Sequence, residues 1–530
     1  MMTIQNTEKK LLPIGISSFS DLREMDYYYV DKTPLIIDLI TSSRFVFLSR
    51  PRRFGKSLTL DTMAELFSGN KTLFEGLYAE NNWDWDTTYP VIRLSFAGEV
   101  EQHDIEELRI IIQDSIEDNA HRLQVPLQKD DINLGLGRAF KKLIQKTEQH
   151  YGQKVVVLID EYDKPIIDNL DNSEIASEVR GLLKSLYSQI KDLSGSIRFA
   201  MLTGVSKFGQ MSLFSGLNNL EDITLRAKYS ALCGYTQEEL ESVFAPELQG
   251  VDLEQVKFWY NGYNWTGESV YNPFDILLFF KGGCAFDNYW MSTGGNASFL
   301  MKLLTSNEFS LADITRIAET SDLLASVDVG SLHPIPVLFQ TGYLTIDKVF
   351  EEPGYLRQYT LKFPNYEVRQ SLSSKWLQEV LKLDGRKAIS DLRKCLRDGD
   401  IAQLQQLIKS AIASIPSDAY RRNNIAQFEG HWQSAIGMFF AGACADFIME
   451  DASSQGRADL VAIEQGNVYI FEFKVKQAGT AQEALEQIKE RNYAEKYRAE
   501  AKQIFEIGVS FDEATRAVNF AINTATNEYR

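Results

Sequence analysis

Two groups of residues in this chain have the types and spacing that chemistry requires. The first joins Gly55-Lys56-Ser57, inside FVFLSRPRRFGKSLT (Phe45–Thr59), to Asp160-Glu161 much further along. A Gly-Lys-Ser turn between an apolar strand and the start of a helix is the context a nucleotide-phosphate cradle needs. Backbone N–H groups of Arg53, Phe54, Gly55, Lys56, Ser57 and Leu58 would wrap the phosphates, the Lys56 amine would reach the terminal ones, and the Ser57 hydroxyl can ligate Mg²⁺. The general pattern has glycine where this chain has Arg50. Asp160 can hold the Mg²⁺ shell through water, and Glu161 can polarise a water in line with the terminal phosphate. Taken alone, Asp160-Glu161 also reads as a strand running out into a polar turn; its pairing with Gly-Lys-Ser decides against that.

The second group is Asp459, Glu472 and Lys474. Strand periodicity puts Val468, Ile470, Glu472 and Lys474 on one face of VYIFEFKV, and Tyr469, Phe471, Phe473 and Val475 on the other. A face that begins apolar and ends Glu-then-Lys is odd for a plain strand, because both charges would lie near the core. The run through Asp459 and the run from Val468 flank Gly466-Asn467 and read as a β-hairpin. With Gln465 paired to Val468, Asp459 falls opposite Lys474 and diagonal to Glu472.

The elements that must position these groups are legible as apolar runs. Phe45–Ser49, Pro90–Phe96, the VVVLI run from Val155 and Ile197–Gly204 suit strands buried on both faces, with helices between them, hence a parallel sheet with right-handed crossovers. The end of the last places Thr203 and Ser206 near the same edge, as sensors of the terminal phosphate or as a satisfied turn. Leu58–Phe67 has helical spacing and a Ser68-Gly69-Asn70 stop. Residues 104–150 read as amphipathic helices of an outer layer. Tyr27–Tyr29 and Lys32, upstream of the cradle, read as packing, with base or ribose contact as the alternative.

Composition bounds the rest. A chain of 530 residues suggests about three or four domains. The net charge of −18 argues against a protein coated with DNA-binding surface, though not against a local basic groove. The four cysteines lie far apart with no CxxC, so neither a disulfide framework nor a zinc site is indicated. MMTIQNTEKKLL lacks the apolar core of a signal peptide, and no run approaches the ~18 apolar residues of a membrane span, so a cytoplasmic chain without membrane contact is expected.

RPRRFGKSLTL, VVVLIDEYDKPI, LTGVSKFGQMSLFSGLNNLEDIT and CGYTQEEL together resemble the bacterial AAA-ATPase-like proteins that carry a C-terminal PD-(D/E)XK nuclease-like domain. The resemblance runs from about Pro13 to about Tyr497, and RPRRFGKS is that family's own form of the cradle. It implies an ATP-binding domain of the additional-strand type with Asp160 and Glu161 at the hydrolytic centre. Asp459 with Glu472-Phe473-Lys474 fits the family's D…ExK metal site. There two carboxylates and the Phe473 carbonyl would hold Mg²⁺, and Lys474 would stabilise charge on the scissile phosphate. By the same resemblance Glu429 adds a ligand, and Gln487 and Tyr493 match downstream polar positions that contact phosphate.

The expected fold class is α/β multidomain. It comprises a P-loop AAA-like ATPase with a parallel sheet (1–235), a helical, winged-helix-like lid (236–345), a hairpin and helical connector (346–415) and a nuclease-like α/β domain (416–530). In the connector, Phe339–Ile346 and Tyr359–Phe363 read as hairpin strands. The aromatics of WYNGYNW and VYNPFDILLFF read as core, with DNA binding by a winged helix as the alternative. ATP and Mg²⁺ are the expected cofactors and nucleic acid the expected partner, DNA ahead of RNA, with a homo-oligomer allowed by the ATPase class. Arg52, Arg53, Arg180 and Arg226 are candidate arginine fingers. An ATP-gated Mg²⁺-dependent nuclease is one functional reading; a nucleotide-dependent switch or scaffold whose nuclease-like domain binds without cutting is the other.

Overall fold

A computed structural model describes residues 8–526 apart from 99–103, 129–130, 133–134, 171, 207–218, 415–428, 454–455, 476–478, 513–514 and 516. Of 291–333 it describes only Met301, Leu304, Leu311, Ile314, Ala318 and Glu319. The chain divides into two compact units, Met1–Asp287 with Ala318–Tyr359, and Asn288–Ile317 with Thr360–Arg530.

The first unit is built on a five-stranded sheet in the order β2-β3-β4-β1-β5, from β1 (Phe45–Ser49), β2 (Val91–Ser95), β3 (Val155–Asp160), β4 (Ile197–Gly204) and β5 (Glu221–Asp222). Every pairing is parallel. β1 and β3 are buried along their whole length, as expected of strands covered on both faces. Inserting β4 between them sets the ends of β1 and β3 one strand apart, a gap that side chains can bridge. Parallel strands need long crossovers. The helices supply them: Lys56–Ser68, ending at Gly69; Ile105–Arg122, whose N-cap Asp104 accepts from Glu106 and Glu107; and Leu136–Tyr151. The strand β5 carried no sequence signal; two residues are too short for a period.

The middle of this unit is helical. Gln237–Val243 opens with a capping box of Thr236 and Glu239; Leu253–Tyr260 and Pro273–Lys281 follow, with a two-stranded ribbon of β6 (Asn261–Tyr263) and β7 (Val270–Tyr271). Tyr260, Tyr263 and Tyr271 are fully buried, so the aromatic run is core. Pro334–Gln340 is a buried helix, which corrects the expected strand from Phe339. A short continuous apolar run is compatible with either, and Gly342, at φ 88°, turns the chain before β9 (Thr345–Phe350) begins. β9 neighbours β10 (Gln358–Lys362), which also pairs β8 (Ala318–Glu319).

The second unit holds a mixed five-stranded sheet, β11 (Asp446–Ser453), β12 (Gly456–Glu464), β13 (Asn467–Val475), β14 (Gln503–Phe511) and β15 (Val518–Thr526), in sequential order. Only β13 and β14 run parallel, joined through the helix Ala481–Glu490. The helix Glu429–Ala443 lies on the other face, where Phe440 meets Phe471 edge-on at 4.9 Å. Tyr366 donates its hydroxyl to Gly442, while Arg369 and Arg393 donate to the carbonyls of Ala443, Cys444 and Ala445. Those carbonyls at the helix C-terminus have no partner within the helix, and cations suit that end of its dipole.

The helix Ala481–Glu490 presses its backbone onto Gly508 of β14. A Cβ there would lie 2.1 Å from the Ala481 carbonyl oxygen and 2.5 Å from the Leu485 nitrogen. Gly508→Ala should therefore destabilise the full chain by about 1–3 kcal/mol. Thermal unfolding checks it, with a fall of about 2–4 °C expected per kcal/mol.

Candidate functional sites

In the first unit three chain segments converge at the C-terminal edge of the parallel sheet. Register pairs Ser49 with Gly204 and Ile159 with Leu202, so the ends of β1, β3 and β4 lie level. The Asp160 carboxylate gathers them: Ser57 Oγ donates to Oδ2 at 2.5 Å, and Thr203 Oγ1 donates to Oδ1 at 2.7 Å. Lys56 is buried, its Nζ donating to the carbonyls of Arg50 (3.0 Å) and Pro51 (2.9 Å), so the amine closes the loop upon itself. Glu161 is held at φ 49° and Arg53 at φ 66°, left-handed conformations that non-glycine residues seldom adopt. The Glu161 carboxylate makes no hydrogen bond or ion pair among the described residues. The Phe54 ring is buried edge-on against Tyr263 and Trp265, which leaves only its backbone for a ligand. The Arg53 guanidinium lies over Phe274 at 4.1 Å.

Arg50, where the general pattern has glycine, is only 1% exposed. It donates to the carbonyls of Ser49 (2.8 Å), Thr224 (3.0 Å) and Tyr229 (3.3 Å) and stacks over Trp265 at 4.1 Å. Burial lowers its pKa to about 10, which leaves it a cation at neutral pH. Arg50 thus ties the cradle to the segment after β5.

Asp163, which sequence reasoning missed, is fully buried. It accepts from the Val205 N–H (3.1 Å) and from the Ser206 N–H (2.6 Å) and Oγ (2.7 Å), binding the turn after β3 to the end of β4. Burial pushes its carboxyl up to about 6, against those hydrogen bonds and the Lys56 charge. Its place before Lys164-Pro165 reads only as a helix start, so nothing local signalled this role. Ser206 therefore serves Asp163, while Thr203 serves Asp160.

Beside the cradle lies a small cleft, lined by Gly55, Leu58, Tyr28, Tyr29, Lys32 and Tyr235 among others. Lys32 is nearly buried there and donates to both Glu239 oxygens at 2.6 Å; burial lowers its pKa. Tyr27 does not line the cleft. Arg226 is ion-paired with Glu221, and Arg180 sits on the helix Ser173–Asp192.

In the second unit Gln465 (φ 49°) and Gly466 (φ 86°) form the hairpin turn, so Glu464 pairs with Asn467 and Leu460 with Phe471. This corrects the expected register. A two-residue turn with both φ positive centres on Gln465-Gly466, and continuing the ladder sets Asp459 across from Glu472 rather than Lys474. The faces are unchanged, because the pairing shifts by an even number of residues. Asp459 Oδ2 accepts from the Phe473 N–H at 2.7 Å. Glu472, 3% exposed, takes Lys474 Nζ at 3.4 Å and Gln487 Nε2 on its Oε1. Its Oε2 is buried with no hydrogen-bond partner among the described residues. Burial first, then the Asp459 charge, push the Glu472 carboxyl up to about 7, against Lys474 and Arg491.

An orphaned, buried carboxylate oxygen beside a second carboxylate is what a hard divalent cation would satisfy. Among the described residues no group of three His, Cys, Asp or Glu side chains is arranged around a metal. Glu429 begins the helix Glu429–Ala443, but its side chain lies outside the described residues. Tyr493 is buried in the core beneath the helix Ala481–Glu490. No helix among the described residues is long and apolar enough to cross a membrane.

Comparison with known proteins adds to this geometry. Residues 13–214 match a family model described as predicted AAA-ATPase, and residues 427–521 match one described as PD-(D/E)XK nuclease superfamily. The chain is 45% identical over 513 residues to an Azotobacter chroococcum mcd 1 protein described as an uncharacterized protein in the vnfD 5'region, a match spanning 96% of this chain and 98% of that one. No solved structure matches.

Replacing Arg50 by glycine, which restores the general pattern, should destabilise the chain by about 2–4 kcal/mol, because three carbonyls and the Trp265 face lose their partner; thermal unfolding reads it. For Glu472 the folded carboxyl titrates near 7 and the unfolded one near 4.5. Folding therefore takes up a proton between those values, and the stabilisation present at low pH is lost as pH rises through about 7. Without divalent cations, the melting temperature of wild type relative to Glu472→Gln should fall from about pH 5 to about pH 8. A flat difference would contradict the environment described for Glu472.

Proposed function

We propose, for a chain that belongs to the AAA-ATPase-like proteins with a C-terminal PD-(D/E)XK nuclease superfamily domain, that ATP hydrolysis in the first unit governs Mg²⁺-dependent cleavage of nucleic-acid phosphodiester bonds by the second. The observation that carries the reading is the buried Glu472 oxygen left without a partner among the described residues, beside the Asp459 charge. In its charged form such a buried carboxylate is costly unless a ligand completes it.

At the first site the backbone N–H groups from Arg53 to Leu58 surround the phosphates, and Lys56 exchanges its two loop carbonyls for phosphate oxygens. Ser57 and Asp160 are the groups that would hold Mg²⁺, Thr203 keeps the Asp160 carboxylate in place, and Glu161 orients the attacking water. Tyr28, Tyr29 and Lys32, at the small cleft beside the cradle, flank the base or the ribose. At the second site Asp459, Glu472 and the Phe473 carbonyl would hold Mg²⁺, with Glu429 as a further ligand, while Lys474 stabilises charge on the phosphate. When bound, Mg²⁺ neutralises phosphate charge and lowers the pKa of a bound water at either site. DNA is the substrate expected ahead of RNA.

The net charge of −18 favours a second reading, a nucleotide-dependent switch whose nuclease-like domain binds a partner without cutting. One set of assays separates the two. Lys56→Ala should lower ATP hydrolysis by about 10²–10³-fold. Glu472→Ala should abolish Mg²⁺-dependent cleavage of DNA and RNA while leaving the ATPase rate intact. Cleavage that survives Glu472→Ala would remove the nuclease assignment, and wild type that hydrolyses ATP but cuts neither polymer would favour the switch.

A further inference from the structure

Basic side chains on β12, on β13 and after the helix Ala481–Glu490 are committed to carboxylates. Lys474 is paired with Glu472 at 3.4 Å, Lys496 with Asp451, and Arg457 with Glu450 at 2.9 Å. Arg491 is exposed and makes no ion pair with a carboxylate among the described residues. It caps the helix Ala481–Glu490 through its backbone N–H to the Gln487 carbonyl, so it sits one turn beyond the side chain that holds Glu472.

Its guanidinium is placed rather than loose. Nη1 lies 3.5 Å from the hydroxyl of Tyr493, whose ring is core. It also lies directly over Gly456, the first residue of β12, where a Cβ would meet Nη1 at 2.8 Å and the Tyr493 hydroxyl at 2.9 Å. Any side chain at 456 would push the guanidinium away. Asp459 follows three residues along the same strand, roughly 10 Å on at the rise of an extended chain. The charge of Arg491 is close enough to act on the Glu472 carboxylate.

Two carboxylates repel a phosphate brought up to them, and Lys474 offsets only one of them. A planar guanidinium whose Nε and Nη2 make no hydrogen bond among the described residues matches phosphate oxygens in charge and in geometry. We propose that Arg491, seated on Gly456 and Tyr493, binds a phosphate of the nucleic-acid strand flanking the Asp459–Glu472 pair and so sets the register of that strand on the site. The inference rests on the nuclease reading and adds to it a substrate-contacting residue outside the D…ExK pattern.

The test uses the full chain carrying Glu472→Gln, which binds without cutting, and labelled single-stranded and duplex DNA and RNA over a range of salt. Adding Arg491→Ala should weaken binding by about tenfold or more and reduce the slope of log affinity against log salt by about one. Arg491→Lys should retain the slope and lose part of the affinity, since it keeps the charge without the fork. Gly456→Ala should reproduce the loss with every charge in place. Unchanged affinity and slope in Arg491→Ala, while wild type still cuts the same polymer, overturns the role of Arg491 and leaves the nuclease reading standing. If the Glu472→Gln chain binds none of the polymers and wild type cuts none, both fall.

Discussion

A carboxylate taken out of water must find donors or a cation, and this chain is arranged around three that do so differently. Asp160 is satisfied by hydroxyls from β4 and from the helix after the cradle. Asp163 is satisfied by backbone and side-chain donors just past β4. Glu472 is satisfied on one oxygen only. Since an unpaired buried charge costs several kcal/mol in real proteins, the first two hold the fold together and the third calls for something from outside. Asp160 belongs to both classes, because Ser57 and Thr203 are exchangeable partners whereas the backbone amides of Val205 and Ser206 are not.

Arg50 illustrates how a departure from a general pattern is absorbed. The glycine it replaces serves a loop that must approach phosphates closely. Here the long side chain turns away from the loop and into the interior, where three carbonyls and an indole face receive it. Those carbonyls belong to β1 and to the segment after β5, so the cradle is braced from behind. Lys56, folded onto the carbonyls of Arg50 and Pro51, braces it from within. The substitution thus removes flexibility from the loop and adds a cross-tie.

The strands that matter were legible as apolar runs because burial on both faces leaves no room for polar residues; three of the first sheet start where expected, at Phe45, Val155 and Ile197, and the one expected from Pro90 starts at Val91. The short β5 was not legible, nor was the helix Pro334–Gln340, whose apolar run fits either periodicity. Asp163 and Arg491 carried no local mark. One looks like a helix start and the other like an exposed charge at a helix end; their roles arise from residues distant in sequence, Ser206 in one case and Gly456 in the other.

By itself the sequence determined which side chains share a face: alternation along Val468–Val475 puts Glu472 and Lys474 together whatever the strand pairs with, and the Gly-Lys-Ser turn between strand and helix defines a cradle before any sheet is assembled. What stands opposite what was decided only by the tertiary structure. The hairpin register follows from which two residues take positive φ, and Gln465-Gly466 rather than Gly466-Asn467 did so, pairing Leu460 with Phe471 and bringing Asp459 beside Glu472. Likewise the insertion of β4 between β1 and β3 is a choice of topology, written in no local pattern, and it alone lets Thr203 and Ser57 meet on Asp160. The physical reason is the same in both cases: periodicity is a property of one strand, whereas register and strand order are properties of pairs.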